Sequence, residues 1–223
     1  MNGAENRAIN RVMSNVRGRL VPMLALSLLF LAAPGCQILG YMAHVTGNNP
    51  KVPAHYYPAQ EPMLILVENY RNPGGGEADC AQLAGYIQQI LTDKKVVPII
   101  DAGKLHELKM ARGDAYGKMK TSEVAAAVGA RQVLYVDLHT LDVTVPSGGG
   151  IFQGSIQVRV KVVSDEGGRT LWPVESVEGH PLVSQTNWMA RDAGMNEHSA
   201  RDQMLRGAAL TIARLFYDYD PQE

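Results

Sequence analysis

Asp137 and His139 stand two apart in an apolar stretch. In an extended strand, alternate residues share a face, so both side chains point the same way. A carboxylate beside an imidazole can move a proton or hold a metal ion. Asp142 and His106 are the residues that could complete such a site. No His-Glu-x-x-His or paired-Cys spacing accompanies them, so the bland reading is a hydrogen-bonded polar pair at the solvated end of a strand. A second feature is Asn72-Pro-Gly-Gly-Gly-Glu77, placed between a strand and a helix where phosphate loops occur. It lacks the Lys-Ser/Thr end of a Walker motif, and Glu77 and Asp79 would repel phosphate at the helix start. It reads as a strand-to-helix turn. There is no Gly-x-Ser-x-Gly elbow and no Cys-His signature of a nucleophile. His180 and His198 flank a loop and a helix start, where a structural or solvent-facing role is expected. These residues predict no enzyme and no cofactor.

The chemistry that the sequence places most clearly lies at the amino terminus. Arg7, Arg11, Arg17 and Arg19 form a basic stretch with Glu5 the one acid. An uncharged apolar run from Leu20 to Ala33 follows, shorter than the roughly 20 residues a membrane span needs. That order marks a secretory signal. The run ends at Ala33-Pro34-Gly35-Cys36, which resembles the lipobox of bacterial lipoproteins. The resemblance implies that Cys36 becomes the first mature residue and carries the lipid. Two other outcomes fit the same run: a plain signal peptide cleaved nearby, and an uncleaved anchor. Gln37 follows the Cys; the sorting rule of two-membrane bacteria then implies the outer membrane.

Removing the four Arg and one Glu that precede Cys36 from the 21 basic and 22 acidic residues leaves a net charge of -4. Nucleic-acid binding needs a basic footprint, so DNA and RNA are not expected partners. Of two cysteines, Cys36 is assigned to lipid, and Cys80 falls among apolar helix positions as a buried thiol.

The elements that would position these residues follow from periodicity. Residues 1–35 read as the signal peptide, 36–62 as a Pro-rich tether and 63–223 as one α/β domain. Met63–Val67 is a continuous apolar run, a strand buried on both faces. A helix is predicted from Glu77 to Lys94, with Cys80, Leu83, Ala84, Ile87, Ile90 and Leu91 on one stripe. Val96–Ile100 reads as a second strand, at an edge or carrying a bulge because Pro98 cannot donate. A short helical piece from Ala102 and a helix from Thr121 to Gly129 precede the longest strand, Gln132 to Val145. Its first half is apolar throughout; its second half alternates. Two glycine turns then define a meander through Ile156–Val162 and Arg169–Val177. Residues 179–196 read as a loop and 199–217 as a final helix. The order β-α-β-α-β-β-β-α predicts an α/β fold with a mixed sheet of about five strands, helices packed on it.

This order, after a lipobox and a tether, resembles the periplasmic α/β domain of the curli-secretion lipoprotein type. It is also similar to the amino-terminal domain of the Tol-system translocation protein. The residues carrying the resemblance are Met63–Val67, the helix holding Leu83 to Leu91, Ala125-Ala-Ala-Val-Gly-Ala130 and Val133-Leu-Tyr-Val-Asp137, within about two-thirds of the chain. It implies a scaffold or assembly part of the envelope without catalytic residues. Pore formation is not implied, because Arg159 and Lys161 oppose the apolar face of the strand pair.

The expected role is thus a lipid-anchored, periplasm-facing module that binds an envelope protein or itself. Ile151 and Phe152, beside a glycine turn, and Trp188 and Met189, in the predicted loop, are the candidate contact residues, if they do not fold back on the core. The rivals are a small-ligand binder at the carboxyl ends of the parallel strands, near Asn69, Gly74 and Asp137, and a metal-assisted hydrolase using Asp137 and His139.

Overall fold

The computed structural model describes residues 50–71, 76–144, 151–185, 189–190 and 196–222. The elements are β1 (Met63–Glu68), α1 (Glu77–Asp93), α2 (Ala102–Arg112), a 3₁₀ turn (Gly113–Lys118), α3 (Thr121–Val128), β2 (Gln132–Thr144), β3 (Ile151–Ser164), β4 (Thr170–Trp172), β5 (His180–Gln185), β6 (Met189–Ala190) and α4 (Glu197–Ala213). β1 pairs in parallel with β2, β2 antiparallel with β3, and β3 takes β4, β5 and β6 in succession along its other edge. This is the expected mixed α/β sheet. Among the described residues, no helix is long and apolar enough to cross a membrane.

The sheet separates two apolar layers. On one face, Ile65, Val67, Leu134, Val136, Val158 and Val160 meet the stripes of α1 and α4. Leu83, Ile87 and Leu91 of α1 follow one another at four-residue spacing and are wholly buried. Each such side chain contributes about 1.5–3 kcal/mol through removal from water. The two helices are also tied laterally. Arg201 Nη1 lies 2.8 Å from Asp79 Oδ2, and Asp202 accepts from Gln82 and the Tyr86 hydroxyl. On the other face, Leu64, Leu66, Val133 and Val163 meet Val124, Ala125 and Val128 of α3, with Leu105 and Leu108 of α2 alongside.

The predicted second strand contracts to a single bridge. Ile99 pairs in parallel with Met63, which bonds Pro98 O and Ile100 N. Pro98 has no amide hydrogen, and the chain leaves immediately for Asp101, whose side chain caps α2. The predicted strand Arg169–Val177 shortens to β4, since Pro173 cannot donate to extend the ladder. The predicted loop 179–196 instead contains β5, which runs along β3 from Val160 to Ser155. Pro181 sits on this edge strand without breaking it, a position where proline is tolerated.

Residues 52–62 lie on the domain. Val52 exchanges backbone hydrogen bonds with Tyr219, and His55 N and Tyr56 N both donate to Leu215 O. Gln132, a buried polar residue at the start of β2, donates from Nε2 to Ala59 O and Glu61 O.

Candidate functional site

Asp137 and His139 do meet. His139 Nε2 lies 2.9 Å from Asp137 Oδ2, and the side chains are 15% and 18% exposed, respectively. A β-bulge creates the geometry. Leu138 is opposite Val158 and Thr140 opposite Gln157, so His139 is the one extra residue on β2. The insertion also shifts side-chain parity. Leu134, Val136 and Leu138 face the α1–α4 layer before it, and Leu141 and Val143 do so after it. The change from continuous to alternating apolar character has another source: Val133 and Tyr135 of the first half are covered by the second apolar layer, whereas Asp142 of the second half is exposed.

Asp137 uses its second oxygen as well. Oδ1 accepts from Tyr70 N at 3.2 Å, tying β2 to the segment that follows β1. Glu68, the last residue of β1, is the register partner of Asp137. The Tyr116 hydroxyl lies 3.4 Å from Glu68 Oε1, and the Tyr135 hydroxyl also bonds to Glu68. Burial pushes the Glu68 carboxyl above its ordinary range and the Asp137 charge adds to this, against Lys109 and the two hydroxyls. Burial, then the Glu68 charge, also raises both tyrosines. Lys109 Nζ lies 5.2 Å from the Tyr116 ring centroid, and Lys161 Nζ lies 5.2 Å from that of Tyr135. Cys80, on α1, is pushed up to about 11, mainly by burial and then by Asp79 and Glu68. A thiol so raised is protonated at neutral pH and is a poor nucleophile.

The group is therefore a polar network where the parallel β1–β2 ladder ends, at the carboxyl end of β1 and midway along β2. It can hold chain segments together and raise the proton affinity of the Glu68 carboxyl. His106 and Asp142 are both exposed, and among the described residues no three His, Cys, Asp or Glu are grouped to hold a metal. Sequence reasoning found Asp137 and His139 and missed Glu68, Tyr70, Tyr116 and Tyr135. The available signal was one acid closing the apolar run of β1, in register with Asp137.

The other candidate residues are placed in part. Cys36 and Trp188 lie outside the described residues. Ile151 and Phe152 begin β3 and pair with Ala190 and Met189 of β6; their side chains and that of Met189 lie outside the description. His198 is exposed and His180 half-buried. Exposed apolar side chains among the described residues include Val174, Val177 and Val183, at or near β5.

The fold and site define a mixed α/β domain with a polar network at the end of its parallel β1–β2 ladder. No protein-family model matches the chain, and no curated protein does. Among solved structures, it is similar to the lipoprotein GNA1162 of Neisseria meningitidis, with 11% identity, a TM-score of 0.43, and 69% of this chain and 98% of the other covered. A dodecamer of a PelC point variant from Paraburkholderia phytofirmans gives 11%, 0.37, 75% and 94% in the same order. The hypothetical protein CT253 of Chlamydia trachomatis gives 12%, 0.39, 70% and 92%. No property of these three is carried over to this chain.

Proposed function

We propose that this chain is an exported, lipid-anchored protein of the bacterial cell envelope. Its α/β domain acts as a non-catalytic module that binds an envelope protein or a second copy of itself. The observation that carries this reading is the order of basic stretch, short apolar run and Cys36 at the amino terminus. A single acyl chain anchors reversibly, so two or three chains on Cys36 are required for stable residence. Gln37 after the Cys directs the mature protein to the outer membrane, facing the periplasm. The non-catalytic part draws support from Asp137, whose two oxygens are already engaged by Tyr70 N and His139.

Contact with a partner is assigned to Ile151, Phe152, Trp188 and Met189, with Val183 on the neighbouring edge strand as an exposed apolar residue. A photo-reactive phenylalanine at position 152, activated in intact cells, tests this. One discrete cross-linked species, either the dimer or one envelope protein, is expected. A chain that stays monomeric and uncross-linked at 151, 152 and 188 alike contradicts it. The alternative, a small-ligand binder, draws on the Glu68–Asp137 pair at the end of the parallel β1–β2 ladder, beside the carboxyl end of β1.

A further inference from the structure

Residues 52–58 form a strap along the end of α4. Val52 N donates to Tyr219 O at 2.8 Å, Ala54 N to Asp218 Oδ1 at 3.0 Å, and His55 N and Tyr56 N to Leu215 O at 2.9 and 3.0 Å. Tyr56 stacks on Trp172 of β4 with centroids 6.1 Å apart and meets Phe216 edge-on. His55 reaches the first residue of β5: its ring centroid lies 5.8 Å from that of His180. His180 in turn lies 5.2 Å from Trp172. Two imidazoles thus sit side by side where strap, β4 and β5 meet, one exposed and one half-buried.

We propose that the His55–His180 pair is a proton-operated latch, which holds the strap closed while the two rings are uncharged and frees it when both are charged. Two imidazolium groups this close repel, and the repulsion is least screened on the half-buried partner. The surroundings set the direction. Burial, then the His55 charge, lowers the His180 pKa, and the Glu175 carboxylate opposes them more weakly. Arg169 adds a positive charge acting on Tyr56, so it gives imidazolium no relief. At the far end of the strap, Asp218 accepts from Ala54 N and the Tyr57 hydroxyl. An imidazole ordinarily titrates near pH ~6.5, and His180 is displaced below that value. A His180 pKa below its ordinary value means the closed strap is fully stabilised above about pH 6.5, and that stabilisation is lost as pH falls through the lowered value.

The consequence for reach rests on the lipid anchor at Cys36, whereas the latch itself does not. Seven freed residues add roughly 25 Å to the span between anchor and domain.

Amide hydrogen exchange on the detergent-solubilised full chain tests the latch, with Val133 to Val136 of β2 as the global reference. After correction for intrinsic rates, exchange at His55 and Tyr56 is expected to quicken about tenfold between about pH 7.5 and 5.5, with the reference unchanged. His55→Gln is expected to remove that dependence and, by NMR titration, to raise the His180 pKa. A strap with equal protection at both pH values overturns the proposal. So does the same pH response in His55→Gln, or a His180 titration that ignores the substitution. Cys36→Ser is expected to keep the full response, which separates failure of the latch from failure of the anchor.

Discussion

Glu68 faces Asp137 across the β1–β2 ladder, so two carboxyl groups stand next to each other in the last pair of the parallel ladder. Asp137 is engaged by a backbone amide and an imidazole, while Glu68 is met by two tyrosine hydroxyls. Burial raises the Glu68 pKa above its ordinary value, against Lys109 and the two hydroxyls, and Asp137 adds to the rise. A carboxyl with a raised folded pKa binds its proton more tightly when folded, so ionising it costs stability as pH rises above its ordinary range.

It follows that Glu68→Gln raises the melting temperature at neutral pH. The gain shrinks as the solution is acidified and disappears below the ordinary carboxylate range of about pH 4. Thermal melts of both proteins across that range check the sign; a variant less stable at neutral pH contradicts the assignment.

Asp137→Ala deprives Tyr70 N and His139 of their acceptor. A charge-assisted acceptor of this kind is worth about 1.5–3 kcal/mol, so urea unfolding should show a loss of that order. His139→Ala in the Asp137→Ala background should add little, since the pair shares one interaction. Excess Zn²⁺ or EDTA should shift the wild-type melting temperature by less than about 1 °C, because a bound metal would stabilise the folded state. A large shift revives the hydrolase reading.

Much of the fold was legible because periodicity reports burial directly. The run Met63–Val67 and the stripe Leu83–Ile87–Leu91 became buried elements where the pattern placed them. What failed depended on partners distant in sequence. β5 has an exposed proline and alternates only weakly, and it is a strand because β3 offers it an edge. Val96–Ile100 has strand composition, yet Pro98 and the nearby α2 cap leave it one bridge. In the candidate site, Asp137 and His139 were visible from their spacing. Glu68, Tyr70 and Tyr116 join them through tertiary contacts between β1, the segment after it and the 3₁₀ turn, which no local pattern encodes.

Lys95 has a φ of 52°, the one described non-glycine residue in the left-handed region. It follows Lys94, the C-cap of α1, where glycine is the usual solution. Lys95→Gly should therefore stabilise the domain by about 1 kcal/mol through relief of this strain. Denaturant midpoints decide it; unchanged or reduced stability contradicts the inference.

Gln132 joins residues 59–61 to the start of β2 through two Nε2 hydrogen bonds, of 2.7 and 3.0 Å. Gln132→Ala leaves the carbonyls of Ala59 and Glu61 without that donor and opens a small void. A loss of about 1–3 kcal/mol is expected. Faster exchange of the Arg131 and Gln132 amides, which donate to Pro62 O, should accompany it. Unaltered stability would mean that this clamp is dispensable.

The proposed lipid on Cys36 is what holds this chain at a membrane, and intact-mass measurement on protein from bacterial membranes tests for it. A chain beginning at Cys36 and carrying two or three acyl chains is expected, with that modification lost in Cys36→Ser. A wild-type chain recovered from the soluble fraction without lipid contradicts it.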